Sequence, residues 1–302
     1  MSNKPYVGIV LVNYNGALDT IECIESIDQM PFNKYKIIVV DNNSSDNSVE
    51  LLTEKKTEKN FELVVLKENN GFSAGNNAGI RVAKELDVDY ILLLNNDTLV
   101  KSDFLLQLLE AAVKLPEGSV LTSTIYDANS DKLWYAKGEF HRLTAKVTQI
   151  GIEKRELSSL NGSIPVSFIS GCCMLIPIAT LELVGELDES YFLYEEDVDF
   201  CCRILQKQLE LYYVPDSIIY HKISSSTTKT KKTSAITQYY MFRNKFIFIK
   251  RHYKGIRKVI PYLHSILMYT YYCFRYGMSV KNLLIGVYDF LLGQTFKSNR
   301  KL

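Results

Sequence analysis

Tyr90-Ile91-Leu92-Leu93-Leu94-Asn95-Asn96-Asp97 is the stretch whose reading decides the fold. Its first five residues form a short apolar run, as expected of a strand covered on both faces. Three polar side chains follow without a break. The same pattern recurs upstream, where Tyr6 to Val12 leads into Asn13-Tyr14-Asn15 and Tyr35 to Val40 into Asp41-Asn42-Asn43. A third run, Leu63 to Leu66, precedes the turn Asn69-Asn70-Gly71. Polar residues thus gather at the carboxyl ends of successive strands, where an open α/β sheet binds its ligand. About a hundred residues further on comes Glu195-Glu196-Asp197-Val198-Asp199. A bare fold has no need of this pattern, so it reads as an enzyme holding a nucleotide and a cation.

Helical segments fill the gaps. Ala17 to Met30 carries Leu18, Ile21, Ile24 and Ile27 at three-residue spacing. Ser45 to Lys56, with Ser45 or Asp46 as cap, Ala74 to Leu86, and a Ser102-capped helix to Lys114 follow. Strand and helix alternate with short links, which predicts an α/β fold with a mostly parallel, doubly wound sheet. From Val120 to Ser167 the pattern loosens into short antiparallel strands or a loop. Phe168 to Ile176 resumes as a buried strand, with Gly171 marking a close backbone approach. A helix over Asp197 to Lys207, a last strand over Leu211 to Val214 and a Ser/Thr/Lys loop over Ser224 to Lys232 complete this part.

The chain has 302 residues and a formal charge of +1, but the charge is unevenly placed. Ser217 to Leu302 holds sixteen of the 35 Lys/Arg and one of the 34 Asp/Glu, a net +15 against −14 for the rest. This division predicts a catalytic domain over 1–222 and a helical, basic-aromatic appendage over 223–302 that meets an anionic partner. Its longest uncharged run, Val259 to Phe274, is shorter than the roughly 20 residues a spanning helix needs. A helix lying in the membrane interface fits that composition, and an ordinary helical cap with a solvated basic face is the alternative. The six cysteines show no C-x-x-C spacing and read as small buried hydrophobes. No signal-peptide core precedes the first strand, so the expected location is cytoplasmic, peripheral on the inner face of the cell membrane.

Asp97 can ligate Mg²⁺ or Mn²⁺, which take oxygen ligands and keep phosphate oxygens in their shell. Strand-end turns also favour such residues for their own sake. Asp41, Asn42 and Asn43 share both readings. The turn around Gly71 opens a helix whose amides can face a phosphate, with Gly75 allowing close approach. It is neither a P-loop nor a dinucleotide fingerprint. Four carboxylates in five positions repel one another unless a cation or a proton-transfer role offsets the repulsion. His221 sits alone just past the last strand.

Together, Val39 to Asp46, Asn70-Gly71-Phe72, Leu94 to Asp97, Gly185 to Glu189 and Glu196 to Asp199 resemble the family 2 glycosyltransferases, bacterial rhamnosyltransferases among them. The likeness runs from Tyr6 to His221. It implies a GT-A fold, a dTDP- or UDP-linked sugar donor, inversion at the anomeric carbon and a glycan or lipid-linked acceptor of cell-surface polysaccharide synthesis. By position, Tyr14 would lie against the base and Asp41 on the base or ribose. Asn76 and Asn77 would face the sugar or diphosphate, with Asn13, Asn43, Gly71 and Asn96 lining the same site. Asn95 and Asp97 stand at the metal motif, which here opens with a neutral amide, and His221 resembles a late metal- or diphosphate-contacting histidine. Asp197 stands where the catalytic base sits, with Glu196 and Asp199 as secondary acids.

A sugar-phosphate nucleotidyltransferase would carry a glycine- and arginine-rich turn where this chain has Asn13-Tyr14-Asn15-Gly16. A non-catalytic membrane-docking assembly protein would not need the four carboxylates. No nucleic-acid-binding motif is present.

Overall fold

The computed structural model describes residues 5–130, 132–150, 162–222 and 234–298; the expected loop at 224–232 lies outside them. The first hundred residues alternate as read: β1 (Val7–Asn13), α1 (Ala17–Asp28), β2 (Tyr35–Asp41), α2 (Ser48–Glu58), β3 (Phe61–Val65), α3 (Phe72–Glu85) and β4 (Tyr90–Asn95). These four strands are parallel, in the order 3-2-1-4. Asn13 pairs in register with Asp41, and Val12 with Asn95. Three polar strand ends therefore stand level along one edge.

The second half extends the sheet. β5 (Thr98–Val100) and α4 (Phe104–Lys114) lead to β6 (Val120–Asp127) and β7 (Leu133–Tyr135). A separate hairpin pairs β8 (Lys137–His141) with β9 (Lys146–Ile150). Then come β10 (Ile164–Val166), β11 (Cys173–Pro177), α5 (Ile178–Val184), α6 (Glu196–Gln206) and β12 (Leu211–His221). β11 runs antiparallel between β4 and β6, while β12 lies parallel to β6. β12 thus ends at the same edge as the first four strands. There Thr98 pairs with His221, which brings Asp97 beside that histidine.

Four local expectations shift. The buried face of α1 is Ala17, Thr20, Cys23, Ile24 and Ile27, and Leu18 points to solvent. The caps at α2 and α4 are Asn47 and Asp103 rather than Ser45, Asp46 or Ser102. The strand expected from Phe168 begins only at Cys173. The last strand does not stop at Pro215: it continues to His221 across a register shift between Val214 and Ile218. A bulge accommodates the missing proline N–H, as such irregularities do elsewhere.

The chain after 234 is helical: α7 (Ala235–His252), α8 (Val259–Tyr276) and α9 (Val280–Leu291). Ile247, Phe248 and Ile249 of α7 belong to the main core, so the composition break at 222 is not a break in packing. Phe242 and Phe246 on another face of α7 join Tyr269, Cys273 and Leu283 in a smaller cluster. α8 and α9 bury less. Along α8, Ile260, Leu263, Leu267, Tyr271 and Phe274 are exposed, and along α9 Val280, Leu284, Tyr288 and Leu291. That spacing is one continuous apolar stripe per helix. No helix among the described residues is long and apolar enough to cross a membrane.

Candidate active site

At the ends of β1 and β2 the polar residues bind one another. Asn13 Nδ2 donates to Asp41 Oδ2 at 2.7 Å, and Ser44 donates its hydroxyl and its backbone N–H to the same carboxylate at 2.6 and 2.9 Å. Thr20 Oγ1 donates to Asn13 Oδ1 at 2.9 Å, and Asn96 Nδ2 to Thr20 Oγ1 at 2.8 Å. Asn13 and Asp41 are wholly covered by this network, while Tyr14 is half exposed and Asn43 exposed. Asn13 and Asp41 therefore fix the corner from behind.

α3 is held just as closely. Gly71 has φ of +95°, and a Cβ there would lie 2.1 Å from the Phe192 carbonyl oxygen, so glycine is required on both counts. Gly75 lies against β1, where a Cβ would meet Val12 Cγ1 at 2.7 Å. Its close approach is to the sheet, not to a phosphate, which corrects the expectation for that residue. Asn77 exchanges hydrogen bonds with the Leu187 backbone at 2.8 and 3.0 Å and donates to Glu189 at 3.0 Å. Asn76 donates to the Phe72 carbonyl at 2.9 Å. Both asparagines are buried, and Asn77 fastens α3 to the loop before α6.

Between these parts opens a cavity of about 450 Å³, lined by Tyr14, Asn42, Gly71, Asn96, Phe192 and Tyr240 among others. A larger groove of about 970 Å³ lies elsewhere, between the β8–β9 hairpin and the start of α8, and contains none of the predicted site residues. Asn42 donates to the Gly71 carbonyl at 2.9 Å, which ties β2 to α3 at the cavity wall.

Beside it, His221 Nε2 stands 3.0 Å from Asp97 Oδ1 and 3.4 Å from Asn95 Nδ2, with Trp134 packed edge-on at 4.8 Å. One carboxylate, one imidazole and one amide converge there. No group of three His, Cys, Asp or Glu forms a ready-made cage among the described residues. The donor set fits a cation whose remaining ligands come from a bound phosphate, since such ions use one or two carboxylates plus substrate oxygens.

The four carboxylates at α6 divide into two kinds. Glu195 pairs with Lys245 at 2.7 Å, and Lys245 also donates to the Ala145 carbonyl at 3.0 Å. Asp199 receives Arg203 Nε and His252 Nε2, each at 2.7 Å. Burial alone would raise Asp199, but the His252 hydrogen bond and Arg203 outweigh it and hold its carboxyl below the usual range. Asp199 is thus committed to joining α6 to α7. Asp197 has no cationic partner among the described residues. It accepts only the Gly171 N–H at 3.2 Å and the Val198 N–H at 2.9 Å, and burial pushes its carboxyl up to about 6. Glu196, buried with Oε2 unpartnered among the described residues, is raised well above the ordinary range by burial and by Asp197. Raised, unpaired carboxylates are candidates for proton-transfer groups.

The turn that delivers Asp197 is strained. Tyr194 and Glu195 both occupy the left-handed region, at φ of 69° and 73°, a conformation costing roughly 1–3 kcal/mol for each non-glycine residue. Asn244 donates to the Leu193 and Tyr194 carbonyls at 2.9 and 3.1 Å, and Lys245 holds Glu195. Asn244, Lys245 and His252 thus hold the candidate site in place, and the sequence reading missed them. The signal was polar residues inside the aromatic run Phe242-Arg243-Asn244-Lys245-Phe246. Part of the basic character of the tail is consumed here, because Lys245, Arg251 and His252 all pair with acids preceding α7 or within α6.

A 3-2-1-4 sheet with polar strand ends and an acidic helix start is the GT-A architecture, and the protein is a glycosyltransferase. The family model for glycosyl transferase family 2 matches residues 8–182, and the chain belongs to that family. It is 23% identical over 273 residues to the dTDP-rhamnosyl transferase RfbF of Shigella flexneri, covering 86% of each chain. It is 26% identical over 251 residues to the low-salt glycan biosynthesis hexosyltransferase Agl10 of Haloferax volcanii, covering 80% of this chain and 74% of that one. Among solved structures, the mannosyltransferase PcManGT from Pyrobaculum calidifontis, in complex with GDP-Man and Mn²⁺, superposes with a TM-score of 0.57. There the identity is 15%, over 95% of this chain and 74% of that one.

Proposed function

We propose that the protein is an inverting transferase that moves a sugar, rhamnose from a dTDP-linked donor in the first instance, to a hydroxyl of a lipid-linked glycan. The observation that carries this reading is Asp197: a desolvated, cation-free carboxylate at the helix start, separated by Gly171 and Phe72 from the donor cavity wall. Likeness to RfbF supports the choice of rhamnose. Asp197 takes the proton from the acceptor hydroxyl as that oxygen attacks the anomeric carbon in line. Tyr14 and Asn42 hold the nucleotide, with Asn13 and Asp41 fixing their backbone from behind. Asp97, with His221 and Asn95, would hold a Mg²⁺ or Mn²⁺ ion, whose charge offsets that of the leaving diphosphate.

The exposed stripes of α8 and α9 give this enzyme a seat at the membrane surface, where a lipid-linked acceptor is found. Contiguous exposed apolar surface of this kind marks an interaction site, and Lys254, Arg257, Lys258 and Lys281 flank it with positive charge. Binding to phosphatidylglycerol vesicles, lost on changing Leu263, Leu267 and Phe274 to Ser, is the expected result; equal binding by that variant removes the membrane from the reading.

The decisive experiment is turnover of a panel of dTDP-, UDP- and GDP-sugars, with the anomeric configuration of the released sugar read by NMR. Inverted product from dTDP-rhamnose, abolished by chelation and by Asp97→Ala, is expected. Retained configuration overturns the mechanism, and full activity under chelation overturns the cation.

A further inference from the structure

The segment after α9 returns to the cavity at the sheet edge. Gln294 N–H donates to the Asp289 carbonyl at 2.9 Å, Phe296 N–H to the Ser190 carbonyl at 2.8 Å, and Ser298 N–H to the Tyr240 hydroxyl at 2.9 Å. Three bonds to separate elements hold 294–298 as a strap across the wall formed by Phe192 and Tyr240, whose rings stack at 4.9 Å. That wall is itself tied to the start of α3, since Phe72 N–H donates to the Phe192 carbonyl at 2.9 Å. Lys297 and Ser298 line the same cavity as Tyr14, Asn42, Gly71 and Asn96.

We propose that this strap is part of the donor site and that Lys297 binds the diphosphate of the nucleotide sugar. The proposal rests on the donor reading given above. Among the described residues lining the cavity, Lys297 is the only charged one, and it is a cation facing a site for a polyanion. Its ammonium lies 5.9 Å from the centre of the Phe192 ring. An exposed cation–π contact is worth only about 0.5–1 kcal/mol, so a diphosphate readily draws the flexible side chain away. The need for such a cation is visible in the metal motif, where Asn95 leaves Asp97 as the one carboxylate. A lysine is a mobile point charge suited to a group that must be held and then released.

The test measures the affinity of full-length protein for UDP, dTDP and GDP, and for the matching nucleosides, by calorimetry. Lys297→Met is expected to weaken binding of the preferred nucleoside diphosphate by roughly 10-fold or more and to flatten its salt dependence. Nucleoside affinity should stay unchanged, and Lys297→Arg should recover most of the loss. Equal diphosphate affinity in Lys297→Met overturns the inference, as does a parallel loss for nucleoside and diphosphate, which would mark a packing defect. Wild-type protein that binds none of the three diphosphates overturns the donor reading itself, a result distinguishable from either.

Discussion

The corner at Asp41 and the corner at Asp197 both bury carboxylates, yet they do so by opposite means. Around Asp41 every partner is neutral: Asn13, Thr20, Ser44 and Asn96 form one network of amides and hydroxyls. Around Asp197 the neighbouring acids Glu195 and Asp199 take basic partners, Arg203 from within α6 and Lys245 and His252 from α7, about fifty residues later. Two of the four acids there are paired with Lys245, Arg203 and His252, and two are left raised. The first corner is a wall fixed by neutral hydrogen bonds. The second is a set of acids sorted into paired and unpaired members by which of them the tail and Arg203 reach.

The largest expected effect tests that sorting. Asp197→Asn should lower turnover by roughly 10²–10⁴-fold, the range for a general base, with donor affinity near normal. Wild-type turnover should rise with pH through about 6, because the carboxyl raised by burial must lose its proton to act. The stability sign is the reverse. A carboxyl whose folded pKa lies above the unfolded value binds its proton more tightly when folded, so its contribution weakens as pH rises through that window. Asp197→Asn should therefore leave thermal stability at pH 7 unchanged or higher, by at most about 3 kcal/mol. A dead variant that is also clearly less stable would recast Asp197 as structural.

The next effect concerns the acids held by the tail. Breaking a buried ion pair by removing one partner costs about 3–5 kcal/mol, so Lys245→Met should lower the unfolding free energy measured in urea by that order. It also frees the strained Tyr194–Glu195 turn, and kcat should fall with KM little changed. Asp199 gives this corner acid sensitivity of the opposite sign. Its folded pKa is depressed, so its stabilisation is present above the ordinary carboxylate range and is lost as pH falls below it. Asp199→Asn should shrink the acid-side loss of stability. Near-normal stability and turnover in Lys245→Met would dissolve the contrast between the corners.

The two corners also differ in how far their sequence could be read. Asn13, Asp41 and Asn95 end short apolar runs, and parallel register must bring such ends level, so their edge was legible from residue order alone. The sorting of Glu195, Glu196, Asp197 and Asp199 was not, because it depends on which acid Lys245 and His252 reach across fifty residues of chain. The tail shows the same limit. α7 and α8 are both eighteen residues long and rich in aromatics, but α7 enters the main core and α8 keeps an exposed stripe. α7 carries Arg243, Lys245, Lys250 and Arg251 where α8 carries Arg275 alone, so charge content points to the wrong helix as the core element, and only tertiary contact places them. Gly75 failed for a related reason: a glycine near a helix start signals close approach, and nothing local says that the neighbour is Val12.

The smallest effect belongs to the neutral corner. Ser44→Ala removes three hydroxyl contacts at the corner, the donation to Asp41 at 2.6 Å and the acceptances from Asn13 Nδ2 at 3.2 Å and the Asn15 N–H at 2.9 Å. Hydrogen bonds to charged groups contribute roughly 1.5–3 kcal/mol, and the Ser44 and Asn13 N–H bonds to Asp41 remain. Stability should thus drop by about 1–2 kcal/mol, less than in Lys245→Met. The nucleotide Kd should rise a few-fold while kcat at saturating donor stays level, since this wall positions the base and takes no part in proton transfer. A loss as large as that of Lys245→Met would show that this neutral network bears on the fold as heavily as the ion pairs of the other corner.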